Sequence, residues 1–278
     1  MKKIGFIDYY LDEWHANNYP AWIEEECARL GLEYKLTYAW AEEYISPKYG
    51  GSTDEWCEKF GAAKCDTIDE LCEKSDVIFI LAPSDPEKHL EYARKVFPYG
   101  KPVYVDKTFA PNLFEAKEIY ALAQKHNTPF FSTSALRYAK ELDELQGGKN
   151  YIITGGGKIF AEYLVHTVEM AVILMQSPIS TVNTEKIGNM RIVKARAESG
   201  ITATIIYAAP LPFTVTCERE GKTSIYKSIE GGYFNALIAD VLRFFETKTV
   251  SFDTNETLEV MRFRDAALAS NAVETYEV

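Results

Sequence analysis

The chain has 278 residues, 41 acidic and 30 basic side chains, a formal net charge of −11 and 47% hydrophobic residues. This is the composition of a globular protein, and it excludes a disordered chain, a collagen-like repeat and a coiled coil. The net negative charge argues against a dedicated nucleic-acid binder, because phosphate backbones require a basic surface. The acidity is uneven: residues 1–134 hold 23 acidic and 15 basic side chains, and the remainder hold 18 and 15.

Export, membrane and metal-site signals are missing from the sequence. The first residues lack the apolar core of an export signal, and no apolar run reaches the ~20 residues that span a bilayer. The five cysteines are odd in number, and their spacing matches no zinc pattern. We therefore expect a cytoplasmic protein with reduced cysteines, no membrane association and no metal.

Strands and helices alternate through the first half of the chain. Apolar or alternating stretches predict strands, and segments with apolar residues three or four apart predict helices. In chain order, the predicted strands lie at 4–7, 34–38, 77–82, 103–105 and 130–132, with helices between them. This order predicts a doubly wound parallel sheet, which binds ligands outside the carboxyl ends of its strands.

The second half has a different pattern. From about residue 180, β-rich stretches of similar length are separated by short turns, which predicts an antiparallel sheet flanked by helices. We therefore expect an α/β fold in two domains. Residues 1–134 form a Rossmann-like domain, and residues 135–278 form an α+β domain with an antiparallel sheet.

The loop after the first strand lacks the glycines of a dinucleotide-binding fingerprint. Asp8, Tyr9, Tyr10 and Leu11 follow the strand, and Asp12 and Glu13 come next. A pyrophosphate normally meets backbone amides here at a helix N-terminus. A carboxylate ~5 Å from a phosphate costs on the order of 1 kcal/mol at surface dielectric. This loop argues against tight NAD(P) binding.

Three later motifs argue for such binding. Residues 82–89 read APSDPEKH, residues 100–110 read GKPVYVDKTFA, and residues 162–169 read EYLVHTVE. This succession resembles the Gfo/Idh/MocA oxidoreductases, the glucose–fructose oxidoreductase and inositol dehydrogenase family. That family shows A-T/P-P-x-x-x-H, G-K-x-V-x-x-E-K-P-x-A and D-x-x-x-H, often followed by x-x-D. Here Asp106 and Thr108 replace the family's glutamate and proline, and Glu162 and Glu169 replace its aspartates.

The chemistry of the side chains and the family resemblance indicate the same three catalytic residues. Lys107, after a strand, can hydrogen-bond a substrate hydroxyl or polarise a carbonyl. His166 can act as general base or acid, and Glu162, one helical turn earlier, can orient its ring. The alternative is a solvated lysine and a structural histidine. We expect the three to line one pocket, with Arg137 and Glu169 as substrate-binding residues.

The same resemblance implies a cofactor site. The expected cofactor is NAD or NADP, with NAD favoured because the acid Glu42 follows the second strand and suits the ribose hydroxyls. The expected cofactor-binding residues are Asp8, Tyr9, Tyr10, Leu11, Glu42, Ala82, Pro83, Ser84, His89 and Asp106. For His89, packing against the strand is an equal alternative, and for Arg137, so is pairing with Glu141.

The sequence favours an NAD(P)-dependent oxidoreductase acting on a sugar-like or polyol alcohol or ketone. The rival is a relative of the family that has lost dinucleotide binding and serves as a small-molecule binding or regulatory protein, or as a non-redox enzyme. The family commonly pairs through the antiparallel sheet, which implies a homo-oligomer. The expected partner is a small-molecule substrate.

Overall fold

The structure, a computed structural model, describes residues 1–219, 224–270 and 276–277. Its contacts divide the chain into two compact units, 1–133 with 235–254 and 134–234 with 255–278. These units differ from a division at residue 134, because residues 235–254 group with the N-terminal part. Among the described residues, no helix is long and apolar enough to cross a membrane.

The first unit alternates strands and helices. Its elements are β1 (Lys2–Asp8), α1 (Trp14–Leu30), β2 (Tyr34–Ala41), α2 (Thr53–Phe60), β3 (Ala63–Lys64), α3 (Ile68–Lys74), β4 (Val77–Ile80), α4 (Glu87–Val96), β5 (Val103–Val105), α5 (Leu113–His126) and β6 (Phe130–Phe131), with a 3-10 turn at Phe97–Tyr99. The sheet order is β3-β2-β1-β4-β5-β6, and every pairing is parallel. This is the doubly wound order of a Rossmann fold, so the predicted architecture of this half is confirmed.

The chain order changes direction between β1 and β4, which are neighbours in the sheet. In such sheets the ligand crevice lies at this switch point, outside the carboxyl ends of the strands. Both strands are buried apolar runs, as expected where helices cover both faces of a parallel sheet. The loops after β1, β4 and β5 therefore share one edge.

The second unit is built on a seven-stranded sheet. Its elements are 3-10 helices at Ala135–Tyr138 and Lys140–Leu145, β7 (Asn150–Gly155), α6 (Phe160–Met175), β8 (Ile179–Ile187), β9 (Met190–Ala197), β10 (Thr202–Tyr207), β11 (Thr214–Glu218), β12 (Ile225–Ser228), α8 (Asn255–Ser270) and β13 (Tyr276–Glu277). Between β12 and α8, α7 (Tyr233–Thr247) begins in this unit and continues into the first. Alternate residues of the strands join α6 and α8 in one apolar core.

The second sheet is mixed rather than wholly antiparallel. Its order is β12-β11-β7-β10-β9-β8-β13, and β7 and β10 pair in parallel. The strand β7 lies outside the stretches that the sequence predicts. The chain leaves β7 through α6 and returns by β8 and β9, which allows a parallel partner beside it.

Candidate active site in each unit

The strand β1 ends at a buried aspartate that bonds to the loops at its carboxyl end. Asp8 is the last residue of β1 and is 1% exposed. Its Oδ1 accepts hydrogen bonds from the backbone N–H of Tyr9 at 2.7 Å and of Ala82 at 3.0 Å. The loops after β1 and β4 are thus joined through this carboxyl group. Its Oδ2 is buried and has no hydrogen-bond partner.

The N-terminus of α1 is capped by Glu13, whose side chain accepts from the N–H of Ala16. Glu13 is 4% exposed. The first amides of a helix after β1 are the donors that a Rossmann fold offers to a pyrophosphate. In this structure the Glu13 carboxylate already accepts a hydrogen bond from one of these amides, that of Ala16. The loop in this conformation does not fit a pyrophosphate at that position.

A second segment covers the same loop. The Ser46 hydroxyl donates to the carbonyl oxygen of Asp12 at 2.7 Å, and the N–H of Gly51 donates to Asp12 Oδ2 at 3.2 Å. A Cβ at Gly51 would lie 2.5 Å from that oxygen, so a larger residue there would displace the Asp12 side chain. The apolar Leu11 is buried beneath. The predicted phosphate loop is therefore packed and hydrogen-bonded within the protein.

Asp106 collects polar partners at the end of β5. It pairs with Nδ1 of His15, and the Tyr19 hydroxyl lies 3.3 Å from both of its oxygens. The Tyr104 hydroxyl donates to Oδ1 at 3.2 Å, and the N–H of Lys107 donates at 2.8 Å. The buried carboxylate is thereby satisfied from α1, β5 and its own loop.

The three buried acids have different protonation tendencies. Burial, reinforced by the charge of Glu13, raises the pKa of Asp8 well above its usual value. Burial also raises the pKa of Glu13, against the opposing effects of His15 and the Ala16 amide. At Asp106, burial acts upward, but His15 and Lys107 together hold the pKa of the carboxyl below its usual value. Of the three carboxyl groups, only Asp106 has its pKa held below the usual value.

Lys107 follows β5 at the carboxyl edge of the first sheet and is buried. Its side chain is 7% exposed, and its Nζ donates to the carbonyl oxygen of Pro83 at 3.2 Å. The structure therefore brings together the motifs that begin at Ala82 and at Asp106. Ser84, next to Pro83, is exposed.

The remaining predicted cofactor residues of the first unit are Glu42, the two tyrosines after β1, and His89. Glu42 follows β2, and its two oxygens are bonded by Lys88 Nζ and by the Tyr92 hydroxyl, the latter at 2.8 Å. Tyr9 and Tyr10 are half-buried, with ring centroids 6.0 Å apart, and burial raises the pKa of Tyr10 to about 12. His89 is fully buried, and its ring nitrogens face the carbonyl oxygens of Phe109 and Leu81. This geometry favours the packing alternative for His89.

In the second unit, His166 stands on α6 and is half-buried. Its Nδ1 lies 2.7 Å from the hydroxyl oxygen of Ser134, which also accepts from the N–H of Leu136 at 3.3 Å. The rings of Tyr163 and Phe213 flank the imidazole at 5.9 and 5.8 Å between centroids. Glu162, the predicted orienting residue, is half-buried one turn earlier on α6.

Arg137 and Glu169 form an ion pair within the second unit. Arg137 Nε donates to Glu169 Oε1 at 2.7 Å, and Nη1 donates to Glu256 Oε2 at 2.6 Å. Burial acts against the charge, but the two carboxylates hold the pKa of Arg137 above its usual value. The two predicted substrate residues are thus paired with each other, and Arg137 links α6 to α8 through Glu169 and Glu256.

Sequence reasoning missed two polar residues of these clusters, His15 and Tyr19, which are one turn apart on α1. Their i,i+4 spacing is a signal for a shared partner. Ser134 follows the strand predicted at 130–132, at the edge where such sheets bind ligands, but its bond to His166 spans 32 residues and has no local signal. Within the part of the chain that the structure describes, no group of three His, Cys, Asp or Glu is placed to hold a metal.

The comparisons with known proteins agree with this fold. Residues 45–134 match a family model described as an oxidoreductase family with an NAD-binding Rossmann fold. That match begins after the acidic loop and includes the motifs around Ala82 and Lys107. The Escherichia coli (strain K12) oxidoreductase YhhX is 39% identical over 57 residues, which cover 20% of this chain and 16% of YhhX.

Solved structures match over nearly the whole chain. UDP-N-acetylglucosamine 3-dehydrogenase GnnA from Acidithiobacillus ferrooxidans has a TM-score of 0.77 at 11% identity, with 97% of each chain covered. GenD2 from gentamicin A biosynthesis, solved in complex with NAD, has a TM-score of 0.77 at 13% identity, covering 100% of this chain and 97% of its own. In its motifs and in its matched segment, this chain is similar to the Gfo/Idh/MocA oxidoreductases, and it shares their fold.

Proposed function

We propose that the protein is an NAD(P)-dependent oxidoreductase that interconverts a hydroxyl and a carbonyl group on a sugar-like or polyol substrate. The observation that carries this proposal is Lys107. A buried lysine at the carboxyl end of β5, held by the carbonyl of Pro83, has a role that packing does not supply. His166 follows in the family's motif order, on a helix and partly accessible.

Each residue has a separate task in this proposal. The Lys107 ammonium donates a hydrogen bond to the substrate oxygen and favours the negative charge that develops on it. The His166 imidazole takes the hydroxyl proton in oxidation and returns it in reduction. Ser134 fixes the ring of His166 through Nδ1, and Asp106 supports the loop that carries Lys107.

NAD is the favoured cofactor over NADP. Glu42 and Glu43 follow β2, where an acid suits the ribose hydroxyls and repels a 2′-phosphate. The sugar-like substrate class takes support from GnnA, which acts on a sugar nucleotide according to its name. Since the β1–α1 loop does not fit a pyrophosphate as it stands, we derive no chemical step that passes through the cofactor.

The proposal is tested by NADH binding and by turnover. The purified chain is titrated with NADH and NADPH to millimolar concentration, and sugars and polyols are then screened by nicotinamide absorbance. We expect binding that favours NADH, and turnover that Lys107→Met and His166→Asn each reduce at least ~100-fold. Both variants should bind NADH within about twofold of the wild type, well under the 1.4 kcal/mol of a tenfold change.

The Glu13 cap favours a second candidate function. The Glu13 carboxylate accepts a hydrogen bond from the Ala16 amide. If this bond never opens, the chain is a relative of the family without dinucleotide binding, acting as a small-molecule binding or regulatory protein or a non-redox enzyme. The same titration separates the two candidates. The absence of NADH and NADPH binding at millimolar concentration would reject the oxidoreductase and leave the second candidate.

We propose further that the protein is a cytoplasmic homo-oligomer formed through the second sheet. Ile152, Thr216 and Tyr226 are in register on β7, β11 and β12, and Ile152 and Tyr226 are 48% and 61% exposed. An exposed apolar row on a sheet is typical of an interface. Light scattering after size exclusion should give a multimer that Tyr226→Glu with Ile152→Glu dissociates, and a wild-type monomer would reject the proposal.

A further inference from the structure

The donors that a Rossmann fold offers to a dinucleotide are used internally in the first unit. Asp8 Oδ1 takes the amides of Tyr9 and Ala82, and Glu13 takes the amide of Ala16. At the end of β2, Glu42 is bonded by Lys88 and Tyr92. Carboxylates of the chain thus occupy the phosphate end of the expected cofactor position, and the Glu42 carboxylate at its ribose end already has two partners.

The acids that occupy the phosphate end of the expected cofactor position are buried, which strengthens their electrostatic interactions. Asp8 and Glu13 are 1% and 4% exposed, and Asp106 of the same cluster is 1% exposed. Water therefore screens little of the repulsion between an ionised carboxylate of this cluster and an incoming phosphate. Asp8 Oδ2 is buried in the cluster without a hydrogen-bond partner.

Among these residues, Glu13 is the one that a ligand can replace. Asp8 is bonded to two loops and closes the sheet, whereas the Glu13 side chain bonds to the first turn of one helix. A helix N-terminus accepts a phosphate or a carboxylate with the same amides. A pyrophosphate and the Glu13 carboxylate are therefore alternative ligands of α1.

We propose that Glu13 is a resident anion that competes with the pyrophosphate for the N-terminus of α1 and so weakens dinucleotide binding. The proposal rests on the proposed function, since it assumes that the dinucleotide is the cofactor. Binding requires the Glu13 side chain to leave Ala16 and move away from the incoming phosphates. The affinity for NADH is then limited by this displacement and not by the contacts of the bound cofactor alone.

Two variants separate the charge of Glu13 from its occupation of the site. Glu13→Gln keeps a side chain that caps the helix but removes the charge, and Glu13→Ser leaves a short neutral cap that frees the space. Glu24→Gln on the exposed side of the same helix changes the net charge equally and serves as the matched control. Thermal unfolding establishes that each variant is folded before binding is measured.

The experiment is a calorimetric titration of the full chain with NADH, and separately with adenosine, which carries no phosphate. We expect millimolar NADH affinity in the wild type, a gain of at least about tenfold in Glu13→Ser, a smaller gain in Glu13→Gln and none in Glu24→Gln. Adenosine affinity should stay constant across the series, because the competition concerns only the phosphates.

The possible failures are distinguishable. If the wild type binds NADH tightly and Glu13→Ser gains nothing, the competition is rejected while the proposed function stands. An equal gain for NADH and adenosine also rejects the competition, since the effect would not lie at the phosphates. If neither the wild type nor either Glu13 variant binds NADH, the competition and the proposed function both fail.

Discussion

At the scale of single residues, Asp8 is a buried carboxyl group whose ionisation opposes folding. Its pKa is raised above the usual value of 3.8 by burial and by Glu13. The stability tied to this group is therefore fully present below the unfolded-state pKa and is lost as pH rises through the folded-state pKa. Between the unfolded-state pKa and the raised folded-state pKa, each pH unit costs about 1.4 kcal/mol of stability, because only the unfolded state loses its proton there.

We predict that Asp8→Asn removes this loss of stability, which begins as pH rises above the unfolded-state pKa. The amide oxygen can still accept from Tyr9 and Ala82 without carrying a charge. Denaturant unfolding across a pH series should show the variant gaining on the wild type as pH rises. Asp66→Asn, at an exposed position, is the control. Parallel pH profiles for the wild type and Asp8→Asn would contradict the assignment of a buried neutral acid.

Ser134 gives a second prediction at this scale, concerning the orientation of His166. Its hydroxyl can donate to or accept from Nδ1, so it supports either tautomer of the ring. We expect Ser134→Ala to lower kcat about tenfold with KM nearly unchanged and to shift the pH dependence of kcat. Ser134→Thr, which keeps the hydroxyl, should restore much of the activity. If Ser134→Ala loses only stability, the positioning role is wrong.

The sequence shows which acids follow β1, but not what they do. Three acids in a phosphate loop suggest repulsion of an anion, and the structure adds that all three accept hydrogen bonds from backbone amides. Such bonds depend on where the loop after β4 and the first turn of α1 lie in space. His15 beside Asp106 is 91 residues away in sequence, so no local pattern indicates the pair.

At the scale of elements, most of α7 groups with the first unit, whereas a division at residue 134 places it in the second. Its residues 235–247 group with the first unit, where the Phe244 ring lies 5.0 Å from that of Phe131 and the Phe245 ring 5.3 Å from that of Phe79. Periodicity identifies an amphipathic helix but not the sheet that it covers. For the same reason β7 escaped prediction, and the second sheet was expected to be antiparallel throughout.

We predict that Phe244→Ala destabilises the protein by about 3–5 kcal/mol, because it leaves a cavity between α7 and the first sheet. Phe114→Ala removes the same side chain at a position that is 70% exposed and should change the free energy of unfolding by less than about 0.5 kcal/mol. Chemical denaturation measures both variants. Equal effects would show that α7 does not support the core.

At the scale of the whole molecule, the fold and the family could be predicted from strand–helix alternation and from motifs of a few residues. These features are local in sequence, which is why the doubly wound order followed from them. The state of the cofactor site could not be predicted, because it depends on contacts between loops far apart in the chain. The similarity of residues 45–134 to an NAD-binding oxidoreductase family makes nicotinamide chemistry the leading proposal, and that proposal requires the Glu13 side chain to leave the Ala16 amide.

The central claim is that this chain takes a nicotinamide dinucleotide on the carboxyl edge of its first sheet once Glu13 leaves α1. Its most direct test is a crystal structure of the wild type grown with millimolar NADH. We predict a dinucleotide at the ends of β1 and β4, with its pyrophosphate at the amide of Ala16 and the Glu13 carboxylate turned away. A structure in which Glu13 still caps Ala16 and no dinucleotide lies along that edge would contradict the account.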